Sequence, residues 1–187
     1  MISVFIERQT MEKEINVVID ISGSMFSDGK SNVQIYLLKT ILHTIKKEKY
    51  LNCTIFNFYL WNDDLCYIDC EEMNIIFENH ELNAIVFKGS SNINKIVDLI
   101  NDVGNNGKFL LLSDGCFDYK EIDEAIKNNH SVFITVAVGA DADINTLSKI
   151  SCLKNKCYKP ENIITALYAI CQCRYTSIDK KFNRTFL

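Results

Sequence analysis

An α/β fold, with a doubly wound, mostly parallel sheet and helices on both faces, is what this sequence predicts. Two observations carry the prediction. Short apolar runs rich in β-branched and aromatic residues alternate with segments of helical periodicity along nearly the whole chain. Two of those runs end abruptly on small polar loops, Asp20-Ile21-Ser22-Gly23-Ser24 and Ser113-Asp114-Gly115. Loops at the carboxyl ends of parallel strands are where such folds bind ligands. With one Pro and seven Gly in 187 residues there is little room for linkers, so one domain with a sizeable core is expected.

Ile15–Ile19 is apolar apart from Asn16 and holds Val17 and Val18, the pattern of a strand buried on both faces. Val33, Tyr36, Leu37, Ile41 and Ile45 then recur at helical spacing. Cys53–Leu60 returns to an aromatic-rich β pattern in which Cys53 reads as a small buried thiol. Asn62-Asp63-Asp64 supplies turn chemistry, and Leu65–Asp69 reads as a short return strand. A second amphipathic helix carries Ile93, Ile96, Val97, Ile100 and Val103 and stops at Asn105-Asn106-Gly107. Phe109–Leu112 is the next buried strand, followed by a helix with Ile122, Ala125 and Ile126 on one face. Ser131–Val138 is a third such strand, ending at Gly139. Asp143–Ile150 forms a helix with Asp143 or a neighbour as its N-cap. The last helix begins after Pro160 and shows Ile163, Leu167, Tyr168 and Cys171 on its apolar face. Repeated β-then-α units give a Rossmann-like arrangement.

Hydrophobic residues make up 48% and charged residues 24%, ordinary for a soluble domain. The net charge of −4 gives no general attraction to nucleic acid, so no nucleic-acid partner is expected. No membrane association is expected either, since no apolar run approaches the roughly 18 residues that span a bilayer. Met1 to Arg8 lacks the basic start and apolar core of a signal peptide. Residues 1–13 read as an N-terminal extension and 174–187 as a basic C-terminal tail with Arg174, Lys180, Lys181 and Arg184. Eight cysteines without an export signal suggest a reducing, cytoplasmic setting. The pairs Cys152/Cys157 and Cys171/Cys173 do not have standard zinc spacing, so free thiols are the expectation.

The chemistry concentrates in three loops. The first holds Asp20, Ser22 and Ser24, three short oxygen ligands that suit a hard cation such as Mg²⁺. The second is Gly89-Ser90-Ser91-Asn92-Ile93, just before a helix, and the third is Ser113-Asp114-Gly115. Asp and Ser after strands are also common turn and capping residues. A lone D-x-S-x-S would therefore say little, whereas three such elements in order say more.

Taken together, the three loops resemble the metal-ion-dependent adhesion site of von Willebrand factor type A domains. That signature is D-x-S-x-S, a Thr in a second loop, and an Asp opening a D-G turn. Asp20, Ser22 and Ser24 match the first part and Asp114 the third. Ser91 stands where many members have Thr, keeping the hydroxyl but losing χ1 stiffness, and Ser90 is a second candidate for that role. The resemblance spans roughly residues 14 to 173. It implies the type A fold and a Mg²⁺ site, with Mn²⁺ or Ca²⁺ as alternatives, formed by Asp20, Ser22, Ser24, Ser91 and Asp114. It implies further that a partner protein completes the shell with a Glu or Asp carboxylate, and that Asp20→Ala or Asp114→Ala abolishes partner capture while leaving the fold largely intact. The segment Val136 to Asp143 with Leu147 is also similar to the bacterial type encoded with tellurite-resistance and stress-response genes, which implies a scaffold role.

Enzymatic readings fit less well. Gly23 to Ser31 resembles a P-loop but has one residue too many between Gly23 and Gly29, and Asp28 would sit in the phosphate cradle. A metal-dependent hydrolase would need a base beside the metal, and His43, His80 and His130 belong to no catalytic motif. The acidic stretch Asp63, Asp64, Asp69, Glu71 and Glu72 reads as a solvated loop, and Asp118 as a candidate rim residue. A binding module rather than an enzyme is expected.

Overall fold

The structure is a computed structural model that describes residues 13–51, 54–152 and 156–173. The basic tail, Cys53 and the N-terminal extension up to residue 12 lie outside the described residues. Five strands form the sheet: β1 (Lys13–Asp20), β2 (Thr54–Trp61), β3 (Leu65–Asp69), β4 (Lys108–Ser113) and β5 (Val132–Ala137). Their order is β3-β2-β1-β4-β5. All neighbours run parallel except the β2–β3 hairpin. The helices are α1 (Lys30–Lys47), α2 (Cys70–Glu78), α3 (Ile93–Val103), α4 (Lys120–Asn128), α5 (Ile144–Ile150) and α6 (Ile163–Gln172).

The two faces of the sheet explain why the central strands read as continuous apolar runs. On one face Ile15, Val17, Ile19, Leu110, Leu112 and Ile134 pack under α1, α2 and α6. On the other, Val18, Trp61, Phe109, Leu111 and Phe133 pack under α3, α4 and α5. Phe109 and Phe133 stack there with centroids 4.7 Å apart. Asn16, the polar interruption in β1, is buried and donates to the Lys108 carbonyl at 3.2 Å.

Three local differences from the sequence reading have physical causes. Strand β2 extends to Trp61, which pairs with Leu65 and buries its ring while donating Nε1–H to the Asn92 carbonyl at 2.9 Å. Helix α3 stops at Gly104, whose positive φ of 73° makes it the C-cap ahead of Asn105-Asn106-Gly107. The acidic stretch is not one solvated loop. Asp69 accepts the Glu72 N–H at 2.8 Å and caps α2, with Glu71 and Glu72 in its first turn, where the helix dipole favours negative charge. Among the described residues no helix is long and apolar enough to cross a membrane.

Candidate metal centre

The sheet order reverses at β1: the chain passes to β2 on one side and later returns to β4 on the other. That reversal opens a crevice at the carboxyl ends of β1 and β4. Ile19 and Leu112 are in register across it, so Asp20 and Ser113 project side by side. Both are fully buried, and the Ser113 hydroxyl donates to Asp20 Oδ2 at 2.6 Å. The Ser22 N–H donates to Asp20 Oδ1 at 3.0 Å. Gln34, from α1, donates Nε2 to the carbonyls of Asp20 and Leu112 at 3.1 and 3.0 Å, tying the two strand ends together.

Beyond Asp20 the chain enters a 3-10 helix, Gly23–Gly29. This turn brings the Ser22 and Ser24 hydroxyl oxygens to 3.2 Å from each other. At a Mg–O distance of about 2.1 Å, adjacent corners of an octahedron stand about 3.0 Å apart. The serine pair is therefore spaced as two neighbouring ligands of one small cation would be.

The second loop is stitched to the first by main-chain bonds, Gly23 N–H to Gly89 O and Lys88 N–H to Ile21 O, both 2.9 Å. Ser90 is committed elsewhere: its hydroxyl and N–H both donate to Asp63 Oδ1, at 2.6 and 2.9 Å. Half-buried Ser91 is thus the hydroxyl this loop has left to offer. Asp63 and its neighbour Asp64, which pairs with Lys95 at 2.9 Å, brace this loop and helix α3. Asp118 accepts the Lys120 N–H at 3.1 Å, a local bond at the start of α4.

Asp114 follows Ser113 directly, and it is fully buried. Its Oδ1 accepts the Cys116 N–H at 3.1 Å, and its Oδ2 takes a salt bridge from Lys30 Nζ at 3.0 Å. Lys30, the first residue of α1, is only 2% exposed, and its ammonium also reaches Asp141 Oδ2 at 2.8 Å. The lysine of the P-loop-like segment thus points into the crevice at two carboxylates.

Burial pushes the Asp20 carboxyl above its usual range; bonds from Ser113 and Ser22 pull it back, and the charge of Asp114 pushes it up further. Burial works against the Lys30 ammonium, but Asp141 and Asp114 outweigh it and hold its pKa above the usual lysine value. With all groups ionised, Asp20, Asp114 and Asp141 carry three negative charges against one positive, an excess of two. Two buried carboxylates, two hydroxyls at ligand spacing and that excess charge fit a divalent cation. Asp20, Ser22, Ser24, Ser91 and Asp114 are the residues that would hold it.

Sequence reading gave no role in the site to Lys30 or Asp141, and it placed Ser113 in the third loop without assigning it a role. The bond from Ser113 to Asp20 depends on β4 lying beside β1, which the sequence alone does not show.

Among the described residues no group of three or more His, Cys, Asp or Glu side chains is placed to hold a metal. Cys157 Sγ faces the Thr135 carbonyl at 3.5 Å. Burial, with the Cys173 thiol beside it, pushes the Cys152 thiol up to about 12. Iodoacetamide at neutral pH is therefore expected to label exposed Cys66 well before Cys152 or buried Cys171. Peptide mass mapping over time would show it, and equal rates would contradict the packing.

No family model matches the chain, and no curated protein matches it either. Solved structures do. An aerotolerance-related membrane protein from Bacteroides fragilis aligns over 86% of this chain and 100% of its own, at 12% identity and a TM-score of 0.61. A von Willebrand factor type A protein from Catenulispora acidiphila aligns over 85% of this chain and 42% of its own, at 14% identity and TM-score 0.56. Proximal thread matrix protein 1 from the mussel byssus, in a form with a zinc-occupied adhesion-site motif, aligns over 85% and 47%, at 14% identity and TM-score 0.57. The chain thus spans less than half the length of the last two. These likenesses show that the fold is that of a von Willebrand factor type A domain.

Proposed function

We propose that this chain is a protein-interaction module that grips an acidic residue of a partner protein through a divalent cation. Asp20, Ser22, Ser24, Ser91 and Asp114 hold the cation, Mg²⁺ in the first instance and Mn²⁺ or Ca²⁺ as alternatives. The observation that carries this reading is the convergence at one crevice of two buried carboxylates with the Ser22–Ser24 hydroxyl pair. With one oxygen each, the five residues fill five of the six positions of an octahedral cation, so a partner carboxylate is the natural completing ligand. Phe26, 71% exposed in the turn after Ser24, gives the partner an apolar surface beside that ligand. The mussel protein's zinc-occupied motif supports divalent-metal binding by this fold.

Binding is favoured over catalysis by what surrounds the hydroxyls. Activating Ser22 or Ser24 as a nucleophile needs an adjacent base. His43 is exposed on α1, His80 is exposed before the 3-10 helix Glu81–Ala84, and His130 is exposed just before β5, at the opposite end of the sheet. The setting we infer is a cytoplasmic scaffold of a stress-response system. The resemblance of Val136 to Asp143, with Leu147, to the bacterial stress-response type supports it.

The test is capture of partner proteins on the immobilised chain. Retention is expected to be lost in EDTA and restored by excess Mg²⁺. Ser24→Ala, which removes one ligand and leaves Asp20 and Asp114 their present partners, is expected to weaken capture tenfold or more while the fold persists by circular dichroism. Capture that is unchanged in EDTA would overturn the reading.

A further inference from the structure

We propose that Lys30 is a built-in cation of this centre, which holds Asp114 in the absence of metal and competes with a divalent ion for that carboxylate. The inference rests on the reading of the crevice as a metal centre and concerns how its affinity is set.

Three observations support it. Both oxygens of Asp114 are engaged, and the one partner that carries charge is the Lys30 ammonium at 3.0 Å. A cation that recruits Asp114 must therefore be preferred over an ion pair already formed in a buried site, where electrostatic attraction is strong. Asp20 differs, for among the described residues its side-chain oxygens are bonded only by the neutral donors Ser113 and Ser22.

Lys30 is also held in a slot shaped for it. Its stem runs across Gly139, where an added Cβ would stand 2.8 Å from Lys30 Cε and 3.0 Å from Cδ. Gly139 has φ +103°, so the close approach and the backbone conformation both call for glycine. An incidental surface lysine would have no such groove.

Finally, the ammonium has a second carboxylate to keep. Asp141 Oδ2 lies 2.8 Å away and is 57% exposed. When Asp114 turns to another cation, Lys30 retains a partner and is not left as a bare buried charge, the costly outcome for such groups. Lys30 thus lowers the affinity of the centre for divalent ions, while Asp141 makes its release feasible.

The chain has a single tryptophan, Trp61, in register with Asp20, and the Ile21 N–H bonds the Trp61 carbonyl at 2.7 Å. Trp61-sensitised terbium luminescence, with Mg²⁺ as competitor, therefore reads metal binding directly on the full chain. Lys30→Met is expected to tighten binding about tenfold or more. Lys88→Met, which removes an exposed positive charge next to the same loops without touching a ligand, is expected to change it about twofold at most. Equal or weaker binding by Lys30→Met, or an equal gain from Lys88→Met, would overturn the inference. Should Lys30→Met not fold, Asp141→Asn serves. It leaves Asp114 as the sole carboxylate on Lys30, and is expected to weaken terbium binding several-fold more than Asp143→Asn in the same loop. No such difference would again count against the inference.

The two readings fail separately. Partner capture that resists EDTA sinks the proposed function and leaves the Lys30 effect on terbium standing. Terbium binding by Lys30→Met but not by the unaltered chain supports the built-in cation and argues against metal-dependent capture by the natural protein. No terbium binding by any variant removes both.

Discussion

Asp114→Ala is expected to destabilise the chain by about 3 kcal/mol, because it strips a buried ammonium of its buried partner. Lys30 and Asp114 are 2% and 0% exposed, so bulk water does not replace the lost carboxylate. Lys30 keeps Asp141, which places the expected loss at the lower end of the about 3–5 kcal/mol typical of broken buried pairs. Lys30→Met added to Asp114→Ala is expected to recover much of the loss, since removing both charges leaves neither uncompensated. Urea denaturation of the two single variants and the double variant would measure this. A single-variant loss within about 0.5 kcal/mol of zero would show that the ion pair is not buried as described. The consequence for function is practical. From sequence, Asp114→Ala is a clean knockout of partner capture with the fold intact; the Lys30 salt bridge gives it a stability cost, so lost capture in that variant would be ambiguous. Asp20→Ala has a related cost, because it removes the acceptor of the buried Ser113 hydroxyl. Ser24, half-buried and with its hydroxyl against that of Ser22, is the better probe.

The parts of the molecule that were legible in the sequence are those whose physics is local. β1, β4 and β5 are buried on both faces, so each appears as a mostly apolar run, interrupted only by Asn16 in β1 and Thr135 in β5, without reference to the rest of the chain. Asp20, Ser22 and Ser24 fall within five residues, and Asp114 could be added because it closes a buried strand. Helix α2 was hidden although Met73, Ile76 and Phe77 pack on the core at helical spacing, because it is only nine residues long and opens on the acidic stretch. Its signal was Asp69 with Glu72 three residues on, a capping pattern that the acidity of the stretch obscured. The Lys30–Asp114–Asp141 arrangement was hidden for a different reason. Lys30 and Asp114 are 84 residues apart, and a lysine that opens a helix after a polar turn ordinarily faces water. Only the path of the β5–α5 loop, with Gly139 under the lysine stem and Asp141 beyond it, turns that side chain inward.

Gly115→Ala is expected to cost about 3 kcal/mol and to disrupt the metal centre with it. Gly115 has φ +79°, a conformation that costs a residue with a Cβ roughly 1–2 kcal/mol. The added Cβ would also stand 2.8 Å from the Asp143 carbonyl oxygen and 3.0 Å from Leu147 Cγ. The first of these is backbone, fixed by the Asp143 N–H to Asp114 O bond at 2.7 Å, and so cannot rotate aside. Overpacking of this kind adds about 1–3 kcal/mol. Gly29→Ala supplies the control. Gly29 has φ +74°, but nothing lies within 4 Å of a Cβ placed there, so only the roughly 1–2 kcal/mol of backbone strain is expected. The excess of Gly115→Ala over Gly29→Ala in urea denaturation then isolates the collision with the Asp143 carbonyl. Equal losses would falsify this account of the turn. The same collision bears on function, because relieving it moves either Asp143 or the turn that carries Asp114. Terbium affinity is accordingly expected to fall in Gly115→Ala and to hold in Gly29→Ala, linking the glycine that follows Asp114 to the geometry of the centre and not to stability alone.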